Sequence, residues 1–174
     1  NGSALFEGIT QFATREHVPV RIFCLNSNPL NGDEALSHEL LAHLRSAGAE
    51  ADLRSARGDL IGCWHDIGAC KAFLSVRLHG AVTAYLAGVP FSLIEYHRKC
   101  SDFIEDIGQD PALRIRPECV DPSEVEQVLR RLFHEATPPL MTPASYAEDA
   151  TKNFTEAPWA VGLNRAAATE TERS

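Results

Sequence analysis

Between positions 71 and 99 the chain alternates twice between a short apolar run and a group of polar and charged side chains, and this leaves few ways to fold. Residues 72–76 (Ala-Phe-Leu-Ser-Val) have the length of a buried strand. Arg77 and His79 follow at once. The next residues are small and apolar up to Gly88, which suits a buried helix closed by a glycine. Residues 91–94 (Phe-Ser-Leu-Ile) read as a second buried strand, followed by Glu95, Tyr96, His97, Arg98 and Lys99. Two strands joined by one short helix predict a parallel pair. In open parallel sheets ligands bind outside the carboxyl ends of the strands, where Arg77, His79 and Lys99 fall.

The rest of the chain repeats this alternation. Periodicity predicts a leading helix over the first sixteen residues, which pack on the domain. A strand rich in β-branched residues follows over 18–25, then a turn-forming loop over 26–32 and an amphipathic helix over 33–47 stopped by Gly48, with Asp33, Glu34 and Glu39 in its early turns, where carboxylates suit the helix dipole. A short strand is expected over 49–55, a loop over 57–62 and a helix over 64–70. After Tyr96 the pattern gives a helix over 97–107 stopped by Gly108, a strand over 112–115 and a helix opened by Asp121-Pro122. After a break at 137–140 a further helix is expected near 143–155, followed by a crossing near Pro158. The sum is α/β: a three-layer Rossmann-like parallel sheet flanked by helices. The domain reading is 1–17 as a leading helix at a possible junction, 18–136 as the Rossmann-like domain, 137–165 as a helical extension and 166–174 as a polar tail.

Composition narrows the function classes. The net charge of −8 and the absence of any Lys/Arg-rich run argue against a nucleic-acid partner. An acidic protein that binds an anion must do so with a few placed cations rather than its global field. The longest nearly uncharged stretch, 81–94, is broken by Gly88 and Pro90 and falls short of the ~20 residues a membrane-spanning helix needs. The five cysteines are odd in number and lack C-x-x-C spacing, which predicts reduced thiols and a cytoplasmic protein without a signal peptide. Cys63, His65 and Cys70 lack the four regular ligands of a structural zinc site, so neither a metal nor a cofactor is expected.

At a strand-to-helix turn, Arg77 and His79 can face one crevice. An arginine fork fits a carboxylate or a phosphate, and an imidazole can donate a proton near neutral pH. Gly80 would let the backbone approach a ligand closely, and the first amides of the following helix would add a positive pole. The plainer reading pairs Arg77 with an acidic neighbour and makes His79 a helix cap. Glu95 either binds a sugar hydroxyl or pairs with Lys99 or Arg77. No nucleophile elbow, P-loop or glycine-rich dinucleotide loop is present in the sequence.

The same residues carry a resemblance. Ser75-Val76-Arg77-Leu78-His79, Leu86-Ala87-Gly88-Val89-Pro90, Tyr96, Lys99, Phe103 and Gly108 resemble the C-terminal half of the polysaccharide pyruvyl transferase family. The clear match covers roughly 71–108, and a weaker match in layout runs over about 18–133. The resemblance implies one of two facing Rossmann-like halves, as in a large two-domain class of glycosyltransferases. It implies transfer of pyruvate, as a ketal, from phosphoenolpyruvate to a sugar of a polysaccharide. His79 would be the general acid and Arg77 the anion clamp, with Lys99 a second clamp. Leu78, Gly80, Glu95 and Tyr96 would complete the donor contacts. The glycan acceptor would sit largely on an N-terminal half of the same protein, and peripheral membrane association stays open. Two alternatives remain: the nucleotide-sugar-binding half of a glycosyltransferase or epimerase, and a non-catalytic binding remnant.

Overall fold

The computed structural model describes residues 2–28, 30, 32–117 and 121–155. The chain divides into two compact units, Asn1–Pro139 and Leu140–Ser174. The second contributes one described helix, Pro143–Thr155, in the position the sequence predicts. The expected crossing near Pro158 and the polar tail over 166–174 lie outside the described residues.

The first unit is mixed α/β. Its helices are α1 (Gly2–Glu16), α2 (Glu34–Ser46), α3 (Leu60–Gly68), α4 (Leu78–Leu86), α5 (Arg98–Asp106) and α6 (Pro122–His134). Its strands are β1 (Val20–Cys24), β2 (Ala51–Ser55), β3 (Phe73–Ser75) and β4 (Phe91–Leu93). The expected alternation of strand and helix holds from β1 to α5. Gly88 and Gly108 follow α4 and α5 at φ +71° and +64°, a region that only glycine enters cheaply.

Three features depart from the sequence reading. First, α3 begins at Leu60, where a loop was expected. Asp59 caps it by accepting the Gly62 amide at 2.9 Å, which starts the helix before the apolar periodicity becomes visible. Second, the expected 112–115 strand is a 3₁₀ turn over Pro111–Leu113. Asp110 accepts the Ala112 amide at 2.8 Å, so the backbone turns before it extends. Only Ile115 pairs, in a parallel bridge to Ile94. Third, the described strands form two separate two-stranded sheets rather than one. β1 pairs with β2, Val20 opposite Ala51, and β3 pairs with β4, Phe73 opposite Phe91; both pairs are parallel. β1 and β3 both line a largely apolar cavity of about 530 Å³. Phe23 and Phe73 meet edge to face with ring centroids 5.8 Å apart.

β4 is the most deeply placed strand: Phe91, Ser92 and Leu93 are all buried, as expected of a strand covered on both faces. Its polar groups are satisfied within the core. Ser92 Oγ donates to the Leu113 carbonyl at 2.7 Å, and Gln109 Nε2 donates to the Phe91 carbonyl at 2.5 Å. Beside it, Phe12 of α1 packs with Leu113 and with Val125, Leu129 and Leu132 of α6. The leading helix therefore belongs to the core of this unit. Among the described residues no helix is long and apolar enough to cross a membrane.

The contact of α1 with α6 needs a residue without a side chain. A Cβ on Gly8 would lie 2.6 Å from both the Pro122 carbonyl oxygen and Val125 Cβ. Alanine gains about 1 kcal/mol over glycine in helix propensity. Overpacking costs about 1–3 kcal/mol, and a backbone oxygen cannot rotate away. Gly8→Ala is expected to lower stability by up to about 2 kcal/mol in a denaturant titration. A higher midpoint would contradict this helix packing.

Candidate functional site

β3 and β4 run parallel with Ser75 opposite Leu93, so their carboxyl ends open on the same edge. Each strand is followed within a few residues by a helix, and the sequence-predicted residues lie in these two connections. Arg77 is the residue before α4, with an extended backbone at φ −96° and ψ 127°. It takes the cap position that the plainer sequence reading gave to His79. Its side chain makes no cap bond and reaches across to the start of α2.

There it meets Asp33. Arg77 Nε donates to Oδ2 at 2.9 Å and Nη2 donates to Oδ1 at 2.6 Å. The two side chains are 37% and 27% exposed. Hydrogen bonding to Asp33 raises the Arg77 pKa above its ordinary value against the opposing effect of desolvation; Tyr96 adds smaller contributions of the same sign. Tyr96 is 45% exposed. Arg77 and Tyr96 thus interact beyond the paired ends of β3 and β4.

His79 is exposed on the first turn of α4, after half-buried Leu78. Its carbonyl accepts from the Thr83 hydroxyl at 2.9 Å. Gly80 is buried and faces inward. A Cβ there would lie 2.7 Å from Ser75 Oγ and 2.9 Å from Leu25 Cδ1, so its visible work is to let α4 lie close on β3. Lys99 is exposed on the first turn of α5 and makes no ion pair among the described residues. The cap of α5 is His97, whose Nδ1 accepts the Lys99 amide at 3.2 Å. Arg98 reaches Asp102 at 3.7 Å, but both are well exposed, and such pairs are worth little.

Glu95 has a different setting. Its side chain is 3% exposed and pairs with neither Lys99 nor Arg77. Arg114 donates to it from Nε at 2.7 Å and Nη2 at 2.5 Å, and also reaches Glu105 at 3.2 Å. Hydrogen bonding to Arg114 holds the Glu95 carboxyl below its ordinary value, against the upward push of burial.

Sequence reasoning singled out Arg77 and Glu95 but missed their partners. Asp33 read as a carboxylate complementing a helix dipole, and Arg114 as part of a short strand. The partners lie 44 and 19 residues away, and local periodicity carries no signal over such distances. Among the described residues no group of three metal-ligating side chains exists. Cys63 is fully buried.

The arrangement offers a basic edge. Arg77, His79 and Lys99 follow the carboxyl ends of two parallel strands, and the amides of Leu78 and His79, the first two of α4, lie ahead of its first intrahelical bonds. Such an edge can hold an anion and deliver a proton to it. No family model matches the chain, and no curated protein matches it.

The buried pair makes a prediction. Removing one member of such a pair costs about 3–5 kcal/mol because the other charge is left unpaired. Glu95→Ala is therefore expected to lower neutral-pH stability by about 3 kcal/mol in a denaturant titration. The sign with pH follows from the lowered carboxyl. The stabilisation is complete above the ordinary value of 4.5 and drains away as pH falls through the lower folded-state value. The gap between wild type and Glu95→Ala should narrow in acid, and a gap that widens there would contradict the assignment.

Proposed function

We propose that this chain is the donor-binding half of a ketal-forming pyruvyl transferase, acting in the cytoplasm on phosphoenolpyruvate and a glycan acceptor. In this reading the two parallel pairs belong to one Rossmann-like three-layer sheet, and a facing N-terminal half carries most of the acceptor site. The observation that supports it is the convergence of Arg77 and Tyr96, with His79 and Lys99 exposed on the adjoining first helical turns, at the carboxyl ends of β3 and β4. Phosphoenolpyruvate carries a carboxylate and a phosphate, and this edge supplies two cations and a helix start.

The proposed chemistry uses that placement. His79, protonated, gives its proton to the methylene carbon of phosphoenolpyruvate, whose double-bond electrons form the new C–H bond. The adjacent carbon becomes electrophilic. One sugar hydroxyl adds to it and releases its proton. Departure of phosphate makes the carbon electrophilic again, and a second hydroxyl adds to close the ketal. Of the two hydroxyl protons, one restores His79 and the other leaves on inorganic phosphate. Arg77 and Lys99 hold the charged ends of the donor during these steps. The nucleotide-sugar alternative needs a free carboxylate for the ribose hydroxyls. Glu95, its candidate, is already engaged by Arg114.

Calorimetric titration with phosphoenolpyruvate, and separately with nucleotide sugars, tests the reading. Phosphoenolpyruvate should bind, and Arg77→Ala should weaken it roughly ten- to hundredfold, the value of a charge-assisted contact of about 1.5–3 kcal/mol. His79→Ala should leave binding largely intact, because a proton donor acts after the donor is seated. Binding of a nucleotide sugar with no response to phosphoenolpyruvate would overturn the proposal.

A further inference from the structure

Asp33 sits immediately before α2, the usual place of an N-cap residue, yet its carboxylate makes no cap bond among the described residues. Other aspartates at helix starts in this unit behave differently. Asp59 accepts the Gly62 amide, Asp110 the Ala112 amide and Asp121 the Ser123 amide. Asp33 instead spends both oxygens on the Nε and Nη2 edge of Arg77. That edge is the fork that would receive a ligand's carboxylate or phosphate. The pair is partly open to water, with 37% and 27% of the side chains exposed, so it is weakly held compared with Glu95–Arg114.

We propose that Asp33 is an internal occupant of the anion site: it fills the Arg77 fork in the unliganded protein and yields it to the donor. The inference rests on the donor-site reading above. The displaced carboxylate has a second seat available. It stands directly before α2, whose first amides it does not now cap and where an aspartate is among the preferred caps. Asp33 thus has two alternative partners, Arg77 and the start of its own helix. A donor that takes the first drives it to the second. The consequence is a built-in competitor: every anion that binds at Arg77 does so against Asp33.

The test is calorimetric titration of the full chain with phosphoenolpyruvate, comparing wild type with Asp33→Asn and Asp33→Ser. Asparagine and serine are both good caps, so α2 is preserved, and circular dichroism checks that it is. Both variants should bind phosphoenolpyruvate about two- to fivefold more tightly, the worth of one partly exposed ion pair. In an Arg77→Ala background the Asp33→Ser change should bring no gain, which separates release of Arg77 from the mere loss of a negative charge. Affinity that is unchanged or weaker in both variants overturns the inference and leaves the donor reading standing, because Asp33 would then be holding Arg77 in place. A gain that persists without Arg77 overturns it as well. Absence of binding by wild type and both variants removes the donor reading and this inference together.

Discussion

A carboxylate with 3% of its side chain exposed must have a cation, and Glu95 takes Arg114. Much of the site's character follows from this pairing. It ties the end of β4 to the segment beyond the 3₁₀ turn, next to the bridge between Ile94 and Ile115. It also withdraws Glu95 from the basic edge. Had Glu95 turned to Arg77, the strand ends would carry an internal, buried salt link and little charge to offer a ligand. With Glu95 spent elsewhere, Arg77 is left to Asp33, a partner that is itself partly in water.

The two arginine–carboxylate pairs have nearly the same geometry and different consequences. Glu95–Arg114 is deep, and removing one member strands a charge in a poorly solvated place. Asp33–Arg77 is shallow, and water can take over either partner at small cost. The first is suited to holding the fold and the second to being exchanged for a ligand. Burial, rather than hydrogen-bond length, separates the structural pair from the candidate functional one.

Much of the secondary structure was legible in the sequence. The runs at 72–76 and 91–94 announced β3 and β4, and Gly88 and Gly108 announced where α4 and α5 stop. Asp121-Pro122 marked the start of α6. What local pattern did not carry was pairing over distance. Asp33 and Arg114 looked like a helix-dipole complement and a strand residue, because their partners lie in other elements. The cap at Asp59 and the turn at Pro111 were misread for a related reason: a single side-chain-to-amide bond sets each boundary, and hydropathy does not register it. The gap between β1 and β3 was also invisible, since strand runs announce strands without announcing which edges meet.

The central claim is that an anion is received at Arg77. The most direct measurement is a two-dimensional proton–nitrogen spectrum of the arginine side chains, with the Arg77 Nε–H resonance assigned by comparison with Arg77→Lys, during addition of phosphoenolpyruvate. The account predicts a saturable shift of that resonance, larger than any shift of the Arg114 resonance, which stays locked to Glu95. A shift elsewhere with Arg77 unmoved, or no shift at all, would contradict it.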